Sequence, residues 1–316
     1  MALITKINGL AYGSINKYNN LAKGSTKKVG GTRNYLDNNA VAKSITAPGG
    51  GDSSHGIIVA DSNGDFRFDH DDAMSVSLWV KPGWNISLNT SIYLFSTHNV
   101  GGANGNADGF FIFYYEPHNR LYTQWRSNNG GAVQVRQNFW HFHNNFSTFA
   151  VAHAASGLGT TFWNSSNRGN VGDDDYTLIT ITRGTANTSL YSNFKLYWNA
   201  ADCGQGFYKT GVGGGQGTVS QSNSTDKVVS VGDAGWAFSV PGNNTETKYN
   251  SLTIWDKELS SSEVTELYNS GAPMHVGTHS AYANCKGWYN FEDDGVGEIS
   301  GNESFAINGD SNLEAK

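Results

Sequence analysis

The chain has 316 residues, of which 38% are hydrophobic and 15% are charged, and its formal net charge is −6. This length excludes a mini-protein that depends on disulfides or a metal, because the chain can bury a core of its own. Its 39 Gly, 16 Phe, 15 Tyr and 9 Trp are typical of short aromatic strands joined by tight turns. Composition therefore predicts an all-β protein and excludes a helical bundle.

The sequence contains no export or membrane signal that we recognise. No segment reaches the roughly 18 to 20 apolar residues of a membrane span, and the first residues, MALITKINGLAYGS, lack the apolar run of a signal peptide. We therefore expect synthesis in the cytoplasm without a transmembrane segment. Two cysteines, Cys203 and Cys285, are too few for a disulfide framework, so we expect free thiols, although their pairing stays open.

The charge is divided unevenly along the chain. Residues 1–36 contain six Lys or Arg and no acid and so carry +6, and the remaining residues carry −12, which gives the overall charge of −6. This asymmetry suggests a basic arm that meets an acidic surface, attached to an acidic globular body. A solvated tail is the alternative. Nucleic acid is a weak candidate partner for the arm, because the acidic body would be repelled.

The arm contains a repeat with a period of 11 residues. Each unit has a short apolar fragment, a turn dipeptide and a second fragment, which predicts successive β-hairpins. Three units cannot bury a core, so we expect order only on pairing with a partner. We interpret residues 1–33 as an anchoring arm and residues 34–316 as one domain. The residues that define the repeat are Lys6, Ile7, Asn8, Lys17, Tyr18, Asn19, Lys28 and Val29.

This arm resembles the KINGxxxxxIxKxNG repeats found at the start of some bacteriophage structural proteins. The resemblance covers about 30 residues. It implies a virion protein, assembled in the host cytoplasm, whose arm attaches to capsid or tail proteins.

Beyond a breaker at Pro48, alternation of apolar and polar residues predicts the half-buried strands of an antiparallel sandwich. In residues 75–82, for example, Val76, Leu78 and Val80 alternate with polar neighbours. One helix interrupts this pattern. Ser260 and Glu263 form a capping box before an apolar stripe, and Gly271 with Pro273 ends the helix. We expect this helix to plug one edge or end of the sandwich.

Four segments resemble concanavalin A-like, laminin-G-type domains. Residues 66–82 (FRFDHDDAMSVSLWVKP) are similar to a strand ending in WVKP, and residues 252–271 (LTIWDKELSSSEVTELYNSG) are similar to a closing strand plus helix. Residues 194–199 (FKLYWN) and 288–293 (WYNFED) resemble two further strands, whereas residues 139–175 depart from the pattern as an insertion. The resemblance implies a jelly-roll sandwich of two antiparallel sheets.

Catalytic chemistry of this fold is not predicted. Enzymes on this fold that hydrolyse β-glucans use a carboxylate pair in Glu-x-Asp-x-x-Glu spacing, with the groups about 5 Å apart. That spacing does not occur in this sequence, so we expect no enzyme. His141 and His143 could form a transition-metal pair, but surface or aromatic-cluster histidines are the alternative.

Calcium is the cofactor that the sequence favours. Asn104, Asn106 and Asp108 place oxygen side chains at alternating positions before Gly109, as in the opening of an EF-hand loop. The acidic residue that would close such a loop is missing, because Tyr115 occupies that position. An Asx-rich hairpin loop is the alternative.

Carbohydrate binding is suggested by tryptophans in polar surroundings. An indole beside Gly, Asn and Ser can stack on a sugar ring while the amides bind its hydroxyls. Loop aromatics that anchor long loops or fill subunit interfaces are the alternative. The candidate residues are Trp84, Trp125, Trp140, Trp163 and Trp236.

Three hypotheses follow. The first is a non-catalytic phage virion protein, a capsid decoration or tail fibre component, whose arm docks on the particle and whose domain binds glycans. The second is a secreted or cell-surface carbohydrate-binding adhesin. The third is a polysaccharide-degrading enzyme with an unrecognised carboxylate arrangement. We expect many copies on a particle or a homo-oligomer, because repetition raises a weak affinity by orders of magnitude.

Overall fold

The computed structural model describes most of the predicted sandwich. The described residues are 56–61, 64–66, 68, 72–81, 91–99, 109–115, 120–129, 132–141, 176–185, 194–209, 227–232, 247–291, 299, 305–308 and 312–315, together with five short strands between residues 6 and 47.

Twenty strands and one α-helix form the regular structure of this part of the chain. The strands in the first 60 residues are β1 (Lys6–Ile7), β2 (Leu10–Ala11), β3 (Lys17–Tyr18), β4 (Leu21–Ala22), β5 (Lys43–Ala47) and β6 (Gly56–Ala60). Those that follow are β7 (Met74–Lys81), β8 (Ser91–Asn99), β9 (Gly109–Tyr115), β10 (Arg120–Asn129), β11 (Ala132–His141), β12 (Thr177–Arg183), β13 (Phe194–Trp198), β14 (Ala201–Gln205) and β15 (Phe207–Lys209). The last are β16 (Lys227–Val231), β17 (Thr247–Trp255), β18 (Cys285–Tyr289), β19 (Phe305–Asn308) and β20 (Asn312–Ala315), and helix α1 spans Ser261–Tyr268.

The strands form two large antiparallel sheets. The first sheet has the order β15-β11-β10-β9-β8-β16-β6-β19, and the second has the order β14-β13-β12-β7-β17-β5-β20, with β18 beside the second half of β17. The predicted class, an all-β jelly-roll sandwich of two antiparallel sheets, is therefore confirmed. Among the described residues α1 is the only α-helix, as expected.

The core lies between the sheets, but several strands are buried on both faces. Val76, Leu78 and Val80 of β7 belong to the central cluster, as their alternation predicts. Ser77 and Trp79, on the opposite face of the same strand, are also buried. Every residue of β12 is buried as well. The prediction of half-buried strands is thus wrong for β7 and β12, because a further layer covers the outer face of the second sheet.

Helix α1 belongs to that layer. The Ser260 side chain accepts a hydrogen bond from the amide of Glu263, and the Glu263 carboxylate accepts one from the amide of Ser260, which confirms the capping box. The helix ends earlier than Gly271, because Asn269 adopts the left-handed conformation (φ 46°) and caps it.

The helix packs on a sheet face and not on an edge or end of the sandwich. Tyr268 stacks on Trp79 of β7 with ring centroids 5.8 Å apart. Val264 and Leu267 share a buried cluster with side chains from β7, β12 and β13. The expectation of an edge plug is corrected, since the aromatic and aliphatic side chains on this outer face of the sheet provide a larger apolar surface than an edge does.

Two of the three predicted repeat units in the arm form hairpins. Lys6 pairs with Ala11 around Asn8-Gly9, and Lys17 pairs with Ala22 eleven residues later. Each hairpin has two-residue strands and a two-residue connection, as the turn dipeptides predict. The third unit, which begins at Lys28, lies outside the described residues.

A short segment of chain crosses between the sheets on each side of the sandwich. On one side Gly206 links β14 of the second sheet to β15 of the first; on the other, residues 309–311 link β19 to β20. Gly206 is required at its crossing, because a Cβ there would lie 2.8 Å from the Trp140 ring.

Ser75 anchors the segment that leads into α1. Its hydroxyl donates a hydrogen bond to the Lys257 carbonyl (2.7 Å) and accepts one from the Leu259 amide (2.9 Å) in a fully buried position. We expect Ser75→Ala to lower the free energy of unfolding by about 2 to 4 kcal/mol, because it leaves two buried backbone groups without a partner. Urea denaturation measures this loss.

Thr123→Val is the matched control. The Thr123 hydroxyl is equally buried but has no hydrogen-bond partner among the described contacts. Replacing it with a methyl group should change stability by less than about 1 kcal/mol or increase it. Equal losses in the two variants would contradict this assignment of the Ser75 hydrogen bonds.

Candidate functional site

Two of the five candidate tryptophans lie in the core. Trp125 of β10 and Trp140 of β11 are 2% and 0% exposed. The Trp125 ring packs 4.8 Å from Phe110, and Trp140 Nε1 donates a hydrogen bond to the Gly204 carbonyl (3.1 Å). A buried indole cannot stack on a sugar, so the prediction is corrected for these two residues.

The other three candidates belong to connections that start at one end of the sandwich. Trp84 lies between β7 and β8, Trp163 between β11 and β12, and Trp236 between β16 and β17. These side chains are outside the described residues, but the six flanking strand ends are described.

The strand register shows that these six strand ends lie at the same end. The start of β12 pairs with the end of β7, and the start of β17 pairs with the end of β7 as well. The last residue of β16, Val231, pairs with Phe95 in the middle of β8, and the amide of the next residue, Gly232, donates to the Leu94 carbonyl (3.4 Å). Between the sheets, the Tyr249 hydroxyl near the start of β17 donates to the Tyr93 carbonyl near the start of β8 (3.3 Å). We call this the tryptophan end.

A row of directly paired aromatic residues crosses the first sheet near the tryptophan end. Tyr93, Phe113, Tyr122 and Phe139 are consecutive partners on β8, β9, β10 and β11. Successive ring centroids are 5.3, 5.0 and 5.7 Å apart. We call these four residues the aromatic row. It lies on the face opposite the central core, and it fixes the strands that border the tryptophan end.

The aromatic row is packed and does not form an open stacking surface. Phe113 and Phe139 are each 8% exposed and Tyr122 is 3% exposed, whereas Tyr93 is partly exposed. Arg120, also partly exposed, lies beside the row with its guanidinium 4.7 Å from the Phe139 ring centroid. Its Nη1 donates to the Tyr122 hydroxyl (3.2 Å). These contacts hold the guanidinium in one orientation at the margin of the tryptophan end.

The sequence alone did not identify the aromatic row. Its signal is the run Gly109–Tyr115, in which aromatic or aliphatic residues occupy both faces of one strand. Such a run indicates a strand that is covered on both sides, rather than the alternating pattern of a half-exposed strand.

The predicted metal residues fall elsewhere or outside the described part of the chain. Asn104, Asn106 and Asp108 lie outside it, in the connection from β8 to β9 at the end opposite the tryptophan end. His141 is the last residue of β11, and His143 is outside the described residues. The described residues contain no group of three or more His, Cys, Asp or Glu that could hold a metal ion. Calcium binding stays a prediction.

One buried histidine has a structural role that the sequence did not indicate. The His279 ring is fully buried, its Nδ1 accepts a hydrogen bond from the Ala281 amide (3.1 Å), and its Nε2 lies 2.9 Å from the Glu263 carbonyl. This assigns the proton to Nε2, which then donates to the carbonyl of α1. Both ring nitrogens form hydrogen bonds with backbone groups, so the ring connects α1 to the segment that follows it.

No family model matches the chain, and no curated protein matches it. Solved structures that resemble it include botulinum neurotoxin binding domains. The binding domain of botulinum neurotoxin DC, in complex with rat synaptotagmin II, is 15% identical with a TM-score of 0.36, covering 64% of this chain and 36% of that one. A structure of botulinum neurotoxin type C, whose cell entry depends on interaction with two ganglioside molecules, is 15% identical with a TM-score of 0.39. The match covers 70% of this chain and 40% of that one.

The receptor-binding domain of the mosaic serotype C/D toxin is 13% identical with a TM-score of 0.40, covering 73% of this chain and 43% of that one. The chain therefore spans less than half the length of these structures. Similarity of this extent carries no functional argument. Separately, no helix in the described part of the chain is long and apolar enough to cross a membrane.

Both cysteines are free, as expected, and both are buried. Burial raises the pKa of the Cys203 thiol far above its ordinary value and raises the pKa of Cys285 to about 12. Both groups therefore stay protonated at neutral pH, and the thiolate is the reactive form.

We expect no thiol to react with a disulfide reagent in the native protein at pH 8, and two thiols per chain to react in denaturant. Raising the pH to 9 should not restore native reactivity, because both folded-state pKa values lie well above it. Colorimetric thiol titration measures both states. Fewer than two thiols in denaturant, or rapid native labelling, would contradict the structure.

Proposed function

We propose that this protein is a non-catalytic structural protein of a bacteriophage virion, attached by its N-terminal arm and presenting the sandwich as a carbohydrate-binding domain. The observation that carries the binding part is the common origin of the connections containing Trp84, Trp163 and Trp236 at one end of a rigid sandwich. Three indoles on connections from one end can surround a single extended ligand.

Two properties of the arm support its role in attachment: its hairpins are too short to be stable alone, and its positive charges are not balanced within the arm. Its two described hairpins have strands of only two residues, which is too short for stability in water without a partner. The arm also carries six Lys or Arg and no acid, whereas the rest of the chain has a net negative charge. Pairing with a strand edge on a particle would provide hydrogen-bond partners for the backbone of the arm, and an acidic surface there would provide carboxylates for its lysines.

Repetition on a particle supports weak carbohydrate binding. A single site made of stacking rings and amide contacts has low affinity, but many linked copies raise the effective affinity by roughly 10² to 10⁴. The missing Glu-x-Asp-x-x-Glu spacing supports a binding domain over a β-glucan hydrolase.

The attachment part is tested by deleting residues 1–33. We expect the truncated protein to keep the melting temperature and circular dichroism of the sandwich but to lose incorporation into purified particles, measured by quantitative mass spectrometry. Loss of folding would show that the arm belongs to the domain. Undiminished incorporation would exclude the arm as the anchor.

The binding part is tested with Trp84→Ala, Trp163→Ala and Trp236→Ala in protein displayed in many copies on beads. Each variant should weaken retention on the bound glycan of a panel roughly fivefold or more, because loss of one stacked ring removes about 1 to 3 kcal/mol. Tyr282→Ala is the matched control, since Tyr282 is an exposed aromatic at the opposite end. Equal effects of Tyr282→Ala, or release of reducing sugar by the wild type, would contradict the proposal.

A further inference from the structure

The chain that follows α1 covers tryptophan side chains on the outer face of the second sheet. We call residues 275–284 the histidine segment. Its Val276 and Ala281 are buried in the same cluster as Trp255 of β17 and Trp288 of β18. The histidine segment therefore closes one part of the apolar layer that lies outside this sheet.

The contact between the histidine segment and α1 requires a neutral His279 ring. The side chain is 0% exposed, and its ring centroid lies 4.9 Å from that of Trp255. Nδ1 accepts a hydrogen bond from the Ala281 amide, and Nε2 donates one to the Glu263 carbonyl. A protonated ring carries a hydrogen on both nitrogens, so two N–H donors would then face each other across the 3.1 Å between Nδ1 and the Ala281 nitrogen.

The carboxylate nearest to this ring does not remove the conflict. Glu266 Oε2 of α1 lies 3.9 Å from Nε2 of His279, but its side chain is 36% exposed. Attraction between a charged ring and such a carboxylate is weak in water. The Glu266 carboxylate also accepts hydrogen bonds from the Ser280 amide and hydroxyl. Its close approach is to Nε2, whereas the nitrogen that would lose its hydrogen bond on protonation is Nδ1.

The other titratable groups packed against the histidine segment have partners of their own or stay neutral. The Glu263 carboxylate binds Lys257, and Asp256 forms an ion pair with Lys286 (2.9 Å). Burial raises the pKa of Cys285 to about 12, so this thiol is uncharged in neutral and acidic solution. Titration of His279 is thus the change in mildly acidic solution that acts directly on the contact with α1.

A second histidine on the segment acts in the same direction. The His275 ring packs edge-on against Trp288, with ring centroids 4.8 Å apart. Burial lowers the pKa of His275, so its neutral form is also favoured in the folded protein. Its ring is exposed on one side, however, and its effect is therefore smaller than that of the fully enclosed His279 ring.

We propose that His279 makes this contact an acid-sensitive switch, in which protonation of the ring releases the histidine segment from α1 and exposes Trp255. In the released state the ring is in water, where the pKa of a histidine is about 6.5. The released state then binds a proton that the closed state does not. Closure is therefore fully favoured above this pH, and the equilibrium constant for release rises by up to roughly tenfold for each pH unit below it.

Hydrogen–deuterium exchange of the full chain at pH 7.5 and pH 5 tests the switch, with rates corrected for the intrinsic effect of pH. Peptides that cover α1 and the histidine segment are the reporter, and peptides from β12, which is buried throughout, are the reference. We expect the opening constant of the reporter to rise roughly tenfold or more at pH 5 while that of the reference stays unchanged.

Three variants separate the possible acid sensors. His279→Gln carries an amide that cannot be protonated, so its reporter should open more than the wild type at pH 7.5 and equally at both pH values. His275→Gln is the matched control on the same segment and should keep most of the acid response. Glu266→Gln removes the nearby carboxylate and should keep the response as well, because the conflict is at Nδ1 of His279.

Equal protection of the wild-type reporter at both pH values would overturn the switch. Loss of the response in Glu266→Gln would assign acid sensing to the carboxylate, and parallel loss of protection in the reference would show acid unfolding of the whole sandwich; either overturns it too. Should His279→Gln unfold the domain, the wild type and Glu266→Gln still decide the outcome. None of these results depends on carbohydrate binding or on the arm.

Discussion

Phe110 of the first sheet stacks on Phe194 of the second, with ring planes 8° apart and centroids separated by 5.6 Å. Trp125 packs against Phe110, and the buried guanidinium of Arg183 lies 5.6 and 5.5 Å from the Trp125 and Phe194 rings. This contact sets the spacing of the two sheets, and the attraction of the rings offsets part of the cost of burying a cation. This contact and the Tyr249 hydrogen bond join the two sheets at opposite ends of the sandwich.

The parts of the fold that could be predicted are those governed by short-range rules. Alternation identified the core face of β7, and the spacing of Ser260 and Glu263 identified the start of α1. What could not be predicted is where the helix packs, because that depends on Trp79, whose neighbours in sequence give no sign that its face is covered. The burial of serines and threonines in the second sheet could not be predicted either, because their partners are distant in sequence. The Ser77 hydroxyl, for example, donates to the Thr180 hydroxyl, 103 residues away.

The candidate site also depends on contacts between residues that are distant in sequence, and these could not be predicted. Trp125 was selected because it lies beside a segment rich in Ser, Asn and Gly, but that segment is the end of strand β10, in which Trp125 faces the core. Trp140 depends on a carbonyl 64 residues away, which no local pattern reveals. Conversely, the grouping of three tryptophan connections at one end depends on sheet register. Register is decided by which strands pair, and a single sequence does not specify that.

The strands at the margins of both sheets are short. Those of the first sheet have three and four residues, and those of the second have five and four. On β14, Asp202 also turns its carboxylate to the backbone amide of Gly204 (2.7 Å), where φ is +77° and the strand twists away from regularity. Proteins held at high local density can form fibres when the edge strands of neighbouring molecules pair with each other. Edge strands this short and irregular offer little backbone for a neighbouring molecule to pair with, which suits the proposed role, in which many copies lie side by side on a particle.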